Sequence, residues 1–305
     1  MLNRILERAW RNLAGRTSSR QPDLEITRLP DWHAYLAYRN AHPDRAAEQA
    51  RLERTLIPLE DEFELDGHCH VCNAARRLQV DLKYGHLPSR TPNWRERLVC
   101  AGCGLNNRMR AAVHVFEQVC SPRNDSAIYL SEAVTPLYQT LAGRFASVTG
   151  SEYLGDRIAF GASDERGVRN ESLTRLSFPD ESFDYVLTFD VLEHIPDYAQ
   201  ALRECLRVLK HGGQLLLSAP FVLEAHANIP RARILPGGEI EHLLPPEYHG
   251  DPLTDAGCLS FFHFGWALLD DLREAGFAKV EACLYWSEAF GYLGGDQLFI
   301  LAQKR

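Results

Sequence analysis

The stretch of residues 183–219 constrains the fold most strongly, because it reads as two buried strands joined by an amphipathic helix. Phe183–Phe189 is an apolar, aromatic and β-branched run with the length of a buried parallel strand. A helix is predicted to begin near Pro196 and to end at the Gly212–Gly213 pair. Gln214–Ala219 is then a second apolar strand. Strand, crossover helix and strand form the unit of a doubly wound α/β sheet.

The corner after the first of these strands is the expected functional site, since ligands of doubly wound sheets bind beyond the carboxyl ends of the strands. Asp190 closes the strand, and the chain turns through Val191, Leu192, Glu193 and His194. His194 is a candidate general base, because an imidazole with a pKa near ~6.5 can accept a proton from a hydroxyl at neutral pH. Alternatively, its ring bonds to a neighbouring loop and fixes the turn.

This stretch resembles the class I S-adenosylmethionine-dependent methyltransferases, in particular the small-molecule group with a Val-Leu-Glu-His turn after the fourth strand. The residues that carry the resemblance read LSFPDESFDYVLTFDVLEHIPD and, shortly afterwards, ALRECLRVLKHGGQLLLSAP. It extends from about Ile128 to the C-terminus. The resemblance implies a Rossmann-like, mostly parallel sheet with an antiparallel terminal hairpin, and S-adenosylmethionine as methyl donor. It also implies that Asp190 and Val191 border the methionine part of the donor.

Further donor contacts are expected at the ends of the first two strands, which are predicted at residues 128–131 and 147–151. Glu152, with Tyr153 beside it, ends strand two, where an acidic side chain can bind both ribose hydroxyls. Glu132 and Ala133 follow strand one. The Glu132 carboxylate can accept hydrogen bonds from the donor's ammonium group, or it can cap a helix. After strand three, the resemblance places Ser172 and the backbone amide of Leu173 near the adenine.

The turn after strand one departs from the family pattern, because residues 132–136 read EAVTP and contain no glycine. A dinucleotide site is therefore disfavoured, since close approach of the backbone to a pyrophosphate needs glycines there. The missing glycines also leave open a non-catalytic scaffold that retains the fold alone.

Two CxxC pairs predict a metal site outside the sheet. Cys69 and Cys72 precede Cys100 and Cys103, and 28 residues separate Cys72 from Cys100. Two such turns can supply four thiolates to one tetrahedral zinc ion, at zinc–sulfur distances of about 2.3 Å. Residues 78–82 alternate as in a strand, which favours a zinc ribbon. Four cysteine ligands leave no open position, so we expect structural rather than catalytic zinc.

The pattern predicts three regions: an N-terminal helical segment (1–62), a zinc-ribbon module with a linking helix (63–118) and a methyltransferase domain (119–305). Residues 2–13 are expected to form an amphipathic, basic helix that can dock on an anionic membrane or a partner, or pack on its own protein. Residues 31–58 also read as helical.

A long segment without clear periodicity, residues 221–264, follows the second strand of the central stretch. Segments of this length in compact domains tend to be functional, and we expect His249 to shape the acceptor pocket and to take part in catalysis. The histidines of this segment lack an HxxxH spacing, so the sequence itself does not indicate a metal site there. A helix at 266–275 and strands at 280–285 and 297–302 would form the terminal hairpin.

Charge and composition indicate the partners. The chain of 305 residues has a net charge of −8 and a pI near 5.8, which disfavours a general nucleic-acid surface and favours a small-molecule acceptor. An RNA substrate remains an alternative, since several arginines make the zinc region locally basic. No run approaches the ~20 apolar residues of a membrane span, and a cytoplasmic location is expected. Formation of a homodimer is left open.

Overall fold

The computed structural model describes residues 23–251, 253 and 256–305; the helix expected at 2–13 lies outside them. Within the described residues, no helix combines the length and the apolarity needed to cross a bilayer. The helices are α1 (Trp32–Ala41), α2 (Arg45–Thr55), α3 (Asn107–Val115), α4 (Pro136–Arg144), α5 (Tyr198–Val208) and α6 (Ala267–Ala275).

The strands form one large sheet, a three-stranded ribbon and three short ladders. In chain order they are β1 (Ile26–Leu29), β2 (Glu62–Cys69), β3 (Ala74–Asp81), β4 (Val99–Cys100), β5 (Ala127–Leu130), β6 (Ser147–Gly150), β7 (Phe183–Phe189), β8 (Leu209–Ser218), β9 (Ile229–Pro230), β10 (Ala232–Ile234), β11 (Ile240–His242), β12 (Tyr248–His249), β13 (Cys258–Leu259), β14 (Phe262–His263), β15 (Lys279–Ser287) and β16 (Tyr292–Gln303).

The large sheet has seven strands in the order β1–β15–β16–β8–β7–β5–β6. Strands β6, β5, β7 and β8 pair in parallel, whereas β16 is antiparallel to both β8 and β15. This is the Rossmann-like α/β sheet with an antiparallel terminal hairpin that the sequence predicts. Apolar clusters cover the sheet; one of them contains the buried Leu215 and Leu217 of β8 together with Leu202 and Val208 of α5.

Helix α5 connects the two central strands, but its end differs from the prediction. Asp197 caps the helix by accepting a hydrogen bond from the Gln200 N–H group (3.0 Å). The helix ends at Val208 and β8 begins at the next residue, so the expectation that the Gly212–Gly213 pair ends it is wrong. The glycines lie inside β8, where the pairing with β7 shifts in register and Gly212 adopts a φ of 75°.

The third parallel strand of the resembled family is reduced to a single bridge. Asn170 pairs with Glu152, and Glu171 donates its N–H group to the Glu152 carbonyl oxygen (3.0 Å). Three glycines interrupt the segment, and Gly155, Gly161 and Gly167 all have positive φ angles. The sheet instead gains β1 at its other edge, where β1 pairs with β15. A strand of only four residues carries too little periodicity to be recognised in sequence.

The N-terminal helices and the ribbon pack against the terminal hairpin. The region predicted as helical over 31–58 forms α1 and α2, separated near Pro43. Glu53 of α2 accepts hydrogen bonds from Trp286 and from the Gly294 and Gly295 N–H groups. The ribbon contacts the same hairpin, where the His68 N–H group of β2 donates to the Ala289 carbonyl oxygen (2.8 Å). The boundaries 1–62, 63–118 and 119–305 stay a prediction.

Candidate active site

Asp190 forms the centre of the carboxyl edge. Its backbone N–H group bonds to the Ser218 carbonyl oxygen (2.9 Å), and its φ of 53° lies in the left-handed region, which aspartate tolerates. One guanidinium nitrogen of Arg95 donates to both carboxylate oxygens (2.6 and 2.8 Å), and Arg108 lies 3.0 Å away. Burial opposes ionisation, but the two arginines outweigh it and hold the pKa of Asp190 well below its usual value.

Glu152 points into the edge of the sheet and not towards bulk water. Its Oε1 accepts hydrogen bonds from the Ala133 N–H group (2.7 Å) and the Val134 N–H group (3.1 Å). No hydrogen bond to its Oε2 occurs within the described residues. Burial raises the pKa of Glu152, although the two N–H groups oppose the shift. One carboxylate oxygen therefore holds the turn after β5, and the other is available to a ligand.

Glu132 is the second carboxylate of this edge, and its side chain is buried. Thr135 donates a hydrogen bond to it. Burial raises the pKa of Glu132 to about 7; the Thr135 bond and the charge of Arg108 lower it, whereas Glu152 and Asp190 raise it further. A carboxylate held in this way gains from any cationic ligand group placed beside it.

The remaining predicted donor residues lie around Glu152. Tyr153 is 58% exposed, and its hydroxyl reaches Asp156 (3.4 Å). The bridge between Glu152 and Asn170 brings the segment that leads to Ser172 and Leu173 alongside the end of β6. Leu173 is buried, and the Ser172 hydroxyl is paired with that of Thr174 (2.9 Å). Val191 lies on the opposite side, packed partly buried against the core.

A cavity of about 1020 Å³ opens on the β7 and β8 side of Asp190. Its walls come from the ribbon, the β7 corner, the segment after β8 and the terminal hairpin. The lining includes Tyr84, Asn93, Arg95, Glu96, Arg108, Asp190, Glu193, His194, Pro220, Phe221, Glu247, Tyr248, His249, His263, Tyr285 and Phe299. Its size and its mixture of aromatic and polar groups are typical of a site for a small molecule.

Both predicted catalytic histidines reach this cavity. His194 Nδ1 donates to the Leu259 carbonyl oxygen (2.8 Å), and His249 Nε2 donates to Glu247 Oε1 (2.9 Å). Their other ring nitrogens face Glu193 Oε1, at 3.6 and 3.4 Å. Glu193 and Glu247 raise the pKa of His249 to about 9, whereas burial lowers it. The structure thus brings His194 and His249 together around one buried carboxylate.

The four predicted metal ligands also converge, in the ribbon. The sulfur atoms of Cys69, Cys72, Cys100 and Cys103 all lie within 4.8 Å of one another, and two of the separations are 3.8 Å. Four sulfurs at about 2.3 Å from a zinc ion in a tetrahedron are about 3.8 Å apart, so the set has the right dimensions for zinc. The Gly102 N–H group bonds to Cys100 Sγ (3.3 Å), as in a metal-binding turn.

Sequence reasoning missed Arg95, Arg108 and the role of Glu193. The arginines precede the sheet by many residues, and only the packing of the ribbon against the hairpin brings them to Asp190. Glu193 was visible as part of the Val-Leu-Glu-His turn, but its burial depends on the segment after β8. Its signal in sequence was the acidic residue directly before a candidate base.

Comparison with known proteins agrees with this geometry. Residues 134–217 match the family model described as a methyltransferase domain. A demethylmenaquinone methyltransferase of Staphylococcus aureus is 34% identical over 128 residues, which are 40% of this chain and 47% of that protein. A protein of the same name from Listeria welshimeri is 35% identical over 115 residues, 35% of this chain and 45% of its own length. The chain thus spans less than half the length of these relatives.

Solved structures of methyltransferases are also similar. An S-adenosylmethionine-dependent methyltransferase from Mesorhizobium loti has a TM-score of 0.38 and 18% identity, covering 63% of this chain and 98% of that one. The 1,6-didemethyltoxoflavin-N1-methyltransferase of Burkholderia thailandensis, solved with S-adenosylhomocysteine, has a TM-score of 0.38 and 18% identity, covering 64% and 77%. Within this chain, residues 134–217 are thus similar to a methyltransferase domain, and the strand order is that of a Rossmann-like α/β sheet.

Proposed function

We propose that the protein transfers a methyl group from S-adenosylmethionine to a small-molecule acceptor. The observation that carries the proposal is the orientation of Glu152, whose carboxylate faces the turn after β5 across the carboxyl edge of the sheet. An acidic side chain in this place suits a ribose diol, because the two lone pairs of Oε2 can accept hydrogen bonds from both hydroxyls while Oε1 holds the turn.

The groups around Glu152 fit the other parts of the donor. Glu132 is a buried carboxylate that would bind the ammonium group, with the Ala133 backbone beside it. Tyr153, Ser172 and Leu173 would border the adenosine. Asp190 and Val191 would border the methionine part. When bound, the donor supplies an electrophilic methyl group on a sulfonium centre.

The protein's own contribution is to position the acceptor and to remove its proton. The cavity beside Asp190 is the acceptor site in this proposal, since Asp190 is part of its wall and the wall also holds titratable groups. His194 would take the proton of a hydroxyl or an amine there, and His249, whose raised pKa keeps it protonated at neutral pH, would hydrogen-bond the acceptor beside it. The acceptor would thus be a molecule with a hydroxyl or an amino group, such as a sugar-containing or secondary metabolite.

The ion pairs of the ribbon favour a small acceptor over RNA. Arg77 pairs with Glu64 and Asp66, Arg90 with Asp61, and Arg97 with Asp81; Arg95 and Arg108 pair with Asp190. Arginines neutralised by the protein's own carboxylates release few counterions on a phosphate backbone. The pairing of these five arginines supports a small acceptor over an RNA substrate.

The four cysteines would hold a structural zinc ion. A closed four-thiolate site fixes the turns between β2 and β3 and after β4, and so supports the loop that carries Arg95. The zinc would thereby stabilise the wall of the cavity without touching a reacting atom.

Calorimetry with S-adenosylmethionine and S-adenosylhomocysteine tests the proposal. We expect micromolar binding to the full chain. In Glu152→Gln the amide oxygen can still accept from Ala133 and Val134, but the charge is lost, so binding should weaken about 10-fold or more while the fold is kept. Glu165→Gln, at an exposed position, is the matched control. No binding in a folded wild-type sample, or equal binding by Glu152→Gln, would refute the donor assignment.

A further inference from the structure

The most unusual group of the cavity wall is the carboxylate of Glu193. Glu193 is 0% exposed, and neither of its oxygens has a hydrogen-bond partner within the described residues. A buried ionised carboxylate without such a partner is costly, and a native structure retains one only where something compensates it. The backbone does not relieve this cost, because the Phe261 N–H group bonds to the Glu193 carbonyl oxygen (2.7 Å) and not to the side chain.

Each of the two neighbouring histidines turns one ring nitrogen towards Glu193 Oε1. His194 Nδ1 carries its hydrogen to the Leu259 carbonyl oxygen, so the neutral ring has its lone pair on Nε2. His249 Nε2 carries its hydrogen to Glu247, so the neutral ring has its lone pair on Nδ1. When both rings are neutral, both lone pairs face Glu193 Oε1, and a cation between them removes their repulsion.

We propose that Glu193, His194 and His249 bind one divalent transition-metal ion through Glu193 Oε1, His194 Nε2 and His249 Nδ1. The three atoms lie within 4.8 Å of one another, and Oε1 is 3.6 and 3.4 Å from the two nitrogens. Ligands at about 2.1 Å from an ion, at angles of 90–109°, are about 3.0–3.4 Å apart. The two separations from Oε1 need only a small contraction to reach this geometry, and the ligand atoms of the two histidines lie within 4.8 Å of each other.

The surrounding groups are those expected of metal-binding histidines. Such histidines donate their other ring N–H group to a carbonyl or a carboxylate, as His194 does to Leu259 and His249 does to Glu247. Glu247 is held in turn by His263 (3.1 Å) and Arg231 (3.1 Å). Two imidazoles and one carboxylate favour zinc, iron(II), cobalt(II) or manganese(II) over magnesium or calcium, which prefer oxygen ligands.

The site has a chemical consequence for the acceptor, and this part of the inference depends on the proposed function. All three ligand residues line the cavity, so positions of the ion not taken by protein face the acceptor. An acceptor hydroxyl bound there would lose its proton to solvent at neutral pH, and its oxygen would keep the electron pair as a metal-bound alkoxide or phenolate. The histidines would then act as ligands and not as the general base.

The test uses the full chain after brief chelation that leaves the closed four-cysteine site loaded. We expect wild type to take up one further equivalent of zinc or cobalt(II), measured by calorimetry and metal analysis. The cobalt spectrum should lack thiolate charge-transfer bands, because these ligands contain no sulfur. Glu193→Gln should weaken this uptake by at least 10-fold, whereas His211→Asn, at an exposed histidine, should leave it unchanged.

Stability and metal uptake together separate the alternatives. Glu193→Gln removes a buried charge, so the metal-free variant should be at least as stable as metal-free wild type. Added metal should stabilise wild type but not the variant. Failure of wild type to take up the second equivalent of metal overturns the site. Equal metal affinity in Glu193→Gln also overturns it. Binding of S-adenosylhomocysteine is measured in parallel. Binding of this ligand without metal uptake refutes only the metal site. Metal uptake without binding of this ligand refutes only the proposed function.

Discussion

Glu132 gives the sharpest prediction of stability, because burial raises its pKa from 4.5 to about 7. The folded protein then holds a proton on Glu132 between these pH values where the unfolded chain has lost it. The free energy of unfolding therefore falls as the pH rises through this window. Glu132→Gln keeps a hydrogen-bond acceptor for Thr135 and removes the titration.

The size of the effect follows from the two pKa values. The full shift corresponds to about 3.4 kcal/mol, and about 2.5 kcal/mol of it is expressed between pH 5 and pH 8. Wild type should thus lose about 2.5 kcal/mol relative to Glu132→Gln over this range. The variant is expected to be the more stable protein at pH 8.

Urea denaturation of wild type and Glu132→Gln at several pH values between 5 and 8 measures the difference between their free energies of unfolding. Groups that titrate equally in the two proteins make no contribution to this difference. Glu165→Gln, at an exposed carboxylate, controls for the loss of one charge. Parallel stability curves for wild type and Glu132→Gln would refute the reasoning. Donor affinity supplies a second measurement: if Glu132 binds the ammonium group, the more stable variant binds S-adenosylhomocysteine at least about 10-fold more weakly.

Two further predictions concern the ribbon and its contact with the sheet. Cys69→Ser should abolish the chelator-resistant zinc measured by metal analysis and should lower the thermal midpoint of unfolding. The control Cys258→Ser should retain the zinc. One zinc ion per chain in Cys69→Ser would contradict the four-cysteine site. Asp190→Asn removes one of the two carboxylates that Arg95 and Arg108 share, and Glu96 stays paired with both. Urea denaturation should therefore show a loss of at most about 3 kcal/mol, reduced by Glu96 and by the partial exposure of Arg95. An unchanged stability in Asp190→Asn would show that the two arginines do not depend on this carboxylate.

The sequence predicted the parts of the fold that depend on local periodicity. The alternating Leu78 and Val80 of β3, the buried run of β7 and the cysteine spacing each depend on neighbours in the chain, and each is found in the structure. The features that the sequence did not predict depend on packing against distant parts of the chain. Strand β1 exists because β15 offers it an edge, and the helix before β8 ends early because Leu209 already pairs with Phe183.

The candidate site also has a part that the sequence predicts and a part that it does not. Its position at the carboxyl edge and the residues Glu132, Glu152 and Asp190 follow from the order of strands and turns. The environment of these carboxylates does not follow from that order, since the neighbouring charges and the burial come from residues far away in sequence. Arg95 reaches Asp190 across 95 positions, and His194 reaches Leu259 across 65. No local pattern encodes contacts at such separations.

The turn after β5 keeps its shape without the glycines that are usual at this place in the resembled family. Ala133 and Val134 do not adopt positive φ angles, so the turn itself needs no glycine. Its N–H groups bond to Glu152, which anchors the turn from the neighbouring strand. The close approach is provided on β6 instead, where a Cβ atom at Gly150 would lie 2.7 Å from the Glu132 carbonyl oxygen. The small residue that permits the close approach thus lies on β6 and not in the turn, and the departure from the family pattern is compatible with the proposed donor site.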